Sequence, residues 1–353
     1  MVRVRDAIDS GEIHSIPLFH IDLSCPSHSA CSHALNERIN DALAAANTQE
    51  AGLLLYNLPA ELDTRVLTSE RGNVYIVVCN PWRKMKRVAF TATKVSQPFD
   101  DASFHFLKAD VKESIAWLRI GPPLSPAAPA DALQDTLLLI NNAPLTHSHF
   151  LIVPRPAAQL PQVLTQYSVR MAVHLCKSLA ADGGGRVLLG FNSICAFASV
   201  NHLHLHAYRL DLAPQLEQSL TDAHSSGIPA LSRPTMPLHS DGFPVSIVAG
   251  LLPGLRVDAL TSERALTVLL AVIETVQSHD CAHNVLFFGD GGGDVSAIVY
   301  VSPFPLCIIV TLWQVLPRQG GRRERRGQRQ RRAQRTCGPC VCKKHGCVPK
   351  IQR

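Results

Sequence analysis

The sequence lacks the long apolar stretch that a membrane-spanning helix needs. Its longest apolar run, Leu306–Val315, has about ten residues, whereas a helical span needs about twenty. The amino-terminal residues also lack the uninterrupted apolar segment of a signal peptide. We therefore expect a cytoplasmic protein with no membrane partner. In that reducing compartment the eleven cysteines are expected to remain free thiols.

Acidic residues are almost absent from the carboxyl-terminal part of the chain. Residues 318–353 contain ten Arg and three Lys but one acid, Glu324, and so carry a net charge of +12. Residues 1–317 then carry −6 of the chain's total of +6, so the basic character says nothing about the partners of the body. We expect a folded domain over 1–305 and a disordered Arg/Cys-rich tail over 306–353.

The tail contains two incomplete motifs. Cys337, Cys340, Cys342 and Cys347, with His345, have the spacing C-x2-C-x-C-x4-C, which fits no standard zinc finger. Its arginines are not interleaved with the aromatic side chains that stack on bases. We therefore interpret the tail as an artefact or a disordered extension, with zinc or RNA binding as alternatives. No nucleic acid is expected to bind to the body.

The order of predicted elements indicates an α+β fold. Helices are predicted over residues 32–47, 160–185 and 260–278, with a short helix over 112–119 and a strand over 51–59. Because crossover helices do not alternate regularly with strands, a doubly wound parallel sheet is not expected. The glycine runs DGGGRV and GDGGGD lack the Lys-Ser/Thr of a phosphate loop and indicate turns.

Three histidines alternate with leucines in NHLHLHAY, residues 201–208. In a strand, His202, His204 and His206 would share one face about 7 Å apart, and the leucines would point into a core. Three uses fit this pattern. Two of the imidazoles could bind zinc together with a distant ligand, a neutral imidazole could attack phosphorus, or the face could simply be solvent-exposed.

Neighbouring residues favour phosphate chemistry. Asn192 and Ser199 lie just upstream and can donate hydrogen bonds to phosphate oxygens. His149 begins the apolar segment HFLIVP, which is predicted to be a strand. The body contains no second cluster of metal-binding type.

At these residues the sequence resembles the histidine-triad superfamily. Within it, the blocks VLLGFNSICAFASVNHLHLHAY, VPRPAAQLPQVLT, CNPWRKMKRVAF, PFDDASFHFLKAD and AHNVLFF are similar to GDP-sugar phosphorylases. The resemblance covers roughly residues 50–305. It implies a histidine-triad-like α+β fold in which an antiparallel sheet packs against helices. Two triad-like halves, about 45–210 and 240–305, are one possibility.

The resemblance also implies a covalent two-step reaction without a metal or other cofactor. His204 would attack the α-phosphorus of GDP-glucose and expel glucose 1-phosphate, and inorganic phosphate would then take the guanylyl group to give GDP. His202 and His206 would contact phosphate oxygens or protonate the leaving group. The residues implied to bind substrate are Asn192, Ser199, His149, Asn80, Arg83 and Arg87.

Alternatives and departures from the family pattern stay open. A nucleotide-sugar hydrolase would use the same nucleophile with water as the acceptor, and an inactive nucleotide-binding protein would bind GDP without turnover. Ser148 stands where the family has glycine. The residues after Pro305 resemble nothing in the family, and one hypothesis is a translated intron, which sequencing of the transcript would test. The sequence indicates no oligomeric state.

Overall fold

The computed structural model describes about three fifths of the chain. The described residues are 2–21, 29–48, 51–68, 74–82, 92, 94–120, 135–180, 186–210, 236–237, 245–248, 254–289 and 294–301. The chain divides into Met1–Val315, which contains all of them, and Leu316–Arg353. The predicted tail, 306–353, lies outside the described residues.

Within the described residues, eleven strands form one mixed sheet, and two more form a separate hairpin. The sheet has the order β1-β4-β5-β6-β8-β7-β12-β13-β11-β10-β9, and β2 pairs with β3. Neighbours in the sheet are antiparallel except β1 and β4, which are parallel. The strands are β1 (Leu18–Ile21), β2 (Asp63–Thr68), β3 (Val74–Cys79), β4 (Ser114–Ile120), β5 (Thr136–Ile140), β6 (Phe150–Pro154), β7 (Arg186–Asn192), β8 (Leu205–Leu210), β9 (Met236–Pro237), β10 (Val245–Val248), β11 (Gly254–Val257), β12 (His283–Gly289) and β13 (Val295–Val301).

The helices confirm the predicted positions of the three long helical segments. They are α1 (Val4–Asp9), α2 (Ser29–Ala46), α3 (Gln166–Ala180) and α4 (Glu263–Ser278). Ser262 caps α4 by accepting a hydrogen bond from the amide of Ala265, which satisfies one donor of the first turn. None of the described helices is long and apolar enough to cross a membrane. The expected α+β class, with helices packed on a largely antiparallel sheet, is confirmed.

Apolar side chains of the central strands form a core on each face of the sheet. On β5, Leu138 belongs to the larger core, which α2, α3 and α4 cover, whereas Leu137 and Leu139 belong to the smaller one. This alternation follows from the strand pleat. Leu203 and Leu205 lie in the larger core, so the predicted inward direction of the leucines between the histidines is confirmed.

Two predicted elements are wrong. Residues 112–119, expected to be a helix, contribute most of β4, which is buried along Ser114–Leu118 between β1 and β5. Pairing on both edges there outweighs a weak local helix preference. Residues 51–59, expected to be a strand, form no strand. Their apolar side chains instead pack against the larger core, with Leu53 and Leu54 at its edge.

Candidate active site

The three histidines lie in a row, but they do not lie on one strand. The strand β8 begins at Leu205, so His202 and His204 precede it, and only His206 is within it, opposite Leu151 of β6. The rings of His204 and His206 are 5.2 Å apart. The three residues are 0%, 3% and 6% exposed. The alternative of a solvent-exposed histidine face is therefore wrong.

His204 has its proton fixed by two acceptors. Its Nδ1 lies 2.8 Å from the carbonyl oxygen of His202 and 2.9 Å from Oε1 of Gln162. The orientation of the Gln162 amide is set by its Nε2, which donates to the carbonyls of Asn192 and His204. Because both neighbours of Nδ1 accept, Nδ1 carries the proton and Nε2 carries the lone pair of the neutral ring. Such a nitrogen is suited to attack an electrophile.

His206 has the opposite tautomer because of His149. The main-chain N–H of Leu145 donates to Nδ1 of His149 at 2.9 Å, so the neutral His149 ring carries its proton on Nε2. That nitrogen lies 2.9 Å from Nδ1 of His206 and donates to it, which leaves the His206 proton on Nε2. The side-chain nitrogen of Asn141 also lies 3.0 Å from Nε2 of His149. It does not donate there, because the one lone pair of the neutral ring is on Nδ1 and already accepts from Leu145. His206 therefore presents a donor.

His202 is neutral and enclosed by aromatic rings. The rings of Phe99 and Phe106 lie 5.3 and 5.6 Å from its own ring. The main-chain N–H of Phe106 donates to its Nδ1 at 3.1 Å, so the proton of the neutral ring is on Nε2. Burial, with smaller contributions from the nearby His204 and His105, lowers the pKa of His202 to about 3. His202 can donate a hydrogen bond, but it is not an imidazolium near neutral pH.

The other predicted site residues occupy different surroundings. Asn192 ends β7, is buried, and accepts a hydrogen bond at Oδ1 from Asn284. Ser199 is half-buried in the segment between β7 and the histidines. Asn80 donates to the carbonyls of Pro144 and Leu145 and accepts from the amide of Trp82. Its amide group therefore holds the turn that precedes His149. The two predicted arginines, Arg83 and Arg87, lie outside the described residues.

Two residues near the histidines were missed by sequence reasoning. Gln162 lies in the loop between β6 and α3, and Asn284 lies on β12. Gln162 is completely buried and Asn284 almost so. No periodic pattern marks either of them, because their partners are 30 to 92 residues away along the chain. The signal that the sequence does offer is their place in VPRPAAQLPQVLT and AHNVLFF, two of the blocks that carry the family resemblance.

The described part of the chain contains no set of side chains arranged to bind a metal ion. No group of three or more His, Cys, Asp or Glu side chains is placed there to hold an ion. The ring of Phe106 lies 5.6 Å from the ring of His202 and 4.9 Å from the ring of His204. The cysteines of the tail lie outside the described residues.

Comparison with known proteins agrees with the sequence resemblance. Residues 43–208 match the model of the family described as GDPGP1-like, N-terminal domain. GDP-D-glucose phosphorylase 1 of Danio rerio is 37% identical over 185 residues, which are 52% of this chain and 49% of that protein. GDP-L-galactose phosphorylase 1 of Arabidopsis thaliana is 32% identical over 179 residues, which are 49% of this chain and 39% of that protein.

A solved structure shows a more distant likeness. Yeast Ap4A phosphorylase in complex with AMP has a TM-score of 0.42 and 17% identity, over 78% of this chain and 85% of that chain. The chain spans about half the length of the curated relatives it matches. The resemblance to GDP-sugar phosphorylases inferred from the sequence is therefore confirmed over residues 43–208, the part that matches the GDPGP1-like N-terminal domain.

Proposed function

We propose that this chain transfers the guanylyl group of GDP-glucose to inorganic phosphate through a covalent guanylyl-histidine. The observation that carries the proposal is the fixed tautomer of His204, whose Nδ1 faces the carbonyl oxygen of His202 and Oε1 of Gln162. Nε2 is thereby the nucleophilic nitrogen at neutral pH, without a base to remove a proton. The similarity to curated GDP-D-glucose phosphorylases supports the choice of donor.

In the first step, Nε2 of His204 attacks the α-phosphorus of GDP-glucose. The N–P bond forms, the bond from the α-phosphorus to the bridging oxygen breaks, and glucose 1-phosphate leaves with that oxygen and its electron pair. His206 donates from Nε2 to a phosphoryl or leaving-group oxygen, with His149 holding its tautomer. Positioning and neutralisation of charge supply most of the rate in such an in-line displacement.

In the second step, an oxygen of inorganic phosphate attacks the same phosphorus. The N–P bond breaks, the electron pair returns to Nε2 of His204, and GDP leaves. A phosphate dianion is a nucleophile without deprotonation, whereas water needs a base. Because His149 donates to Nδ1 of His206, the neutral His206 ring presents a proton and not a lone pair. This arrangement supports phosphate over water as the acceptor.

The remaining predicted contacts are part of the proposal. Asn192 and Ser199 hold the α-phosphate or the ribose, and His202 contacts a phosphoryl oxygen through its Nε2 proton. Asn80, Arg83 and Arg87 are proposed on the diphosphate side; Asn80 acts by holding the turn before His149. The cytoplasm is the proposed location.

Product analysis with and without phosphate tests this proposal. With phosphate, GDP-glucose is expected to give equal amounts of glucose 1-phosphate and GDP, and His204→Asn is expected to give neither. A hydrolase would instead release GMP at the same rate in both conditions. Binding of GDP with no product in either condition would indicate an inactive nucleotide-binding protein. Full turnover by His204→Asn would refute the assignment of the nucleophile.

A further inference from the structure

The strands β7 and β8 separate at the position of the nucleophile. Their pairing runs from Arg186 opposite Leu210 to Gly190 opposite His206. The same register, continued by two residues, would place Asn192 opposite His204. These two residues do not pair directly, and β8 has not yet begun at His204.

The side chain of Gln162 occupies the gap between the two strands. Its Nε2 donates to the carbonyl oxygens of Asn192, at 2.9 Å, and His204, at 3.0 Å. Its Oε1 accepts from the main-chain N–H of His204 and from Nδ1 of the same residue, both at 2.9 Å. The amide therefore replaces the hydrogen bonds that direct pairing of the strands would have made, and it also reaches the imidazole.

The orientation of this amide has no alternative. Rotating it by half a turn would put its NH2 group against the main-chain N–H of His204 and its oxygen against two carbonyl oxygens. Both contacts would be repulsive, and the side chain is completely buried, so water cannot relieve them. The backbone of the loop is also held in place, because the main-chain N–H of Gln162 donates to Oδ1 of Asn201 at 3.0 Å.

We propose that Gln162 is a positioning residue for guanylyl transfer: it separates β7 from β8 and, together with the carbonyl oxygen of His202, holds the proton on Nδ1 of His204. This inference rests on the proposed function. When Nε2 bonds to phosphorus, the ring becomes positively charged and keeps its Nδ1 proton. The hydrogen bond to Oε1 of Gln162 is then stronger in the transition state than in the free enzyme, so it contributes to the rate of the chemical step.

The test compares Gln162→Met with Gln277→Met in the full chain. Gln277 is a matched control, because its side-chain amide also holds the loop that contains Gln162. Its Oε1 accepts from the main-chain N–H of Leu164 at 2.9 Å, and its Nε2 donates to the carbonyl of Leu164 at 3.1 Å. Neither hydrogen bond involves a histidine. Gln162→Met is expected to lower kcat about tenfold to hundredfold, the range for losing a hydrogen bond to a charged group. KM for GDP-glucose is expected to change less. Gln277→Met is expected to keep kcat within about twofold, because the side chain of Gln277 bonds to Leu164 and not to His204, where positive charge develops.

Equal kcat values for the two variants, at comparable folded fractions, would overturn the proposal. If Gln162→Met does not fold, the position of the His204 proton in the substrate-free wild-type protein is measured instead. Nitrogen NMR of histidine-labelled protein, with His204→Asn identifying the signal, is expected to show the His204 proton on Nδ1. A proton on Nε2 would overturn the role of Gln162. Failure of the wild-type protein to transfer the guanylyl group, with the proton on Nδ1, would instead refute the proposed function alone.

Discussion

Mild acid is expected to destabilise this protein strongly because His202 is buried in its neutral form. Burial lowers the pKa of His202 in the folded protein to about 3, whereas in the unfolded chain the pKa is about 6.5. Between these values the unfolded chain binds a proton that the folded protein does not. The free energy of unfolding therefore falls as the pH decreases through this window.

The magnitude follows from the difference in bound protons. Each pH unit inside the window costs about 1.4 kcal/mol, so lowering the pH from about 6.5 to about 4.5 removes about 2–3 kcal/mol through His202 alone. Burial also lowers the pKa values of His105 and His283, which adds losses of the same sign. A stability of about 5–15 kcal/mol is typical of a domain, so this loss is large enough to measure.

Urea unfolding of wild type and His202→Asn across this range tests the argument. The Asn carboxamide oxygen can still accept from the amide of Phe106, as Nδ1 of His202 does, but it does not titrate. His202→Asn is expected to lose about 2–3 kcal/mol less than wild type between about pH 6.5 and about pH 4.5. The control His279→Asn, at an exposed position, is expected to follow wild type. Parallel losses in wild type and His202→Asn would refute the reasoning.

Two further substitutions test the contacts around the site. His149→Phe is expected to lower the free energy of unfolding by about 1–3 kcal/mol, because the buried amide of Leu145 loses its acceptor. Unchanged urea unfolding would contradict this loss of stability. The same variant is expected to lower kcat, because the tautomer of His206 is no longer held, and an unchanged kcat would contradict that role of His149. Asn284→Ala is expected to raise KM for GDP-glucose about fivefold by releasing the amide of Asn192. Steady-state kinetics measures this, and an unchanged KM would count against the proposed contact of Asn192 with substrate.

The alternation of histidine and leucine predicted the two sides of this segment but not its backbone. Leu203 and Leu205 point into the larger core, as period two requires. His202 and His204 nevertheless precede β8, because the amide of Gln162 takes the hydrogen bonds of a strand partner. A single side chain from a distant loop leaves no periodic signal, so the sequence could not predict the separation of the strands.

Other differences between prediction and structure have the same origin in distant contacts. Residues 112–119 were expected to be a helix from their local pattern, but β1 and β5 pair with both edges of β4. His149, which the family resemblance placed among the residues that bind substrate, lies in contact with His206. Its effect on the tautomer of His206 depends on the amide of Leu145, and backbone donors are not visible in a sequence.

The most direct test of the account is the site of covalent attachment. The protein is incubated with GDP-glucose in the absence of phosphate, and peptides containing His202, His204 and His206 are analysed by mass spectrometry under conditions that preserve phosphoramidate bonds. A guanylyl group is expected on His204, and it is expected to disappear, with release of GDP, when phosphate is added. A guanylyl group on another residue, or glucose 1-phosphate released with no protein adduct at any time, would contradict it.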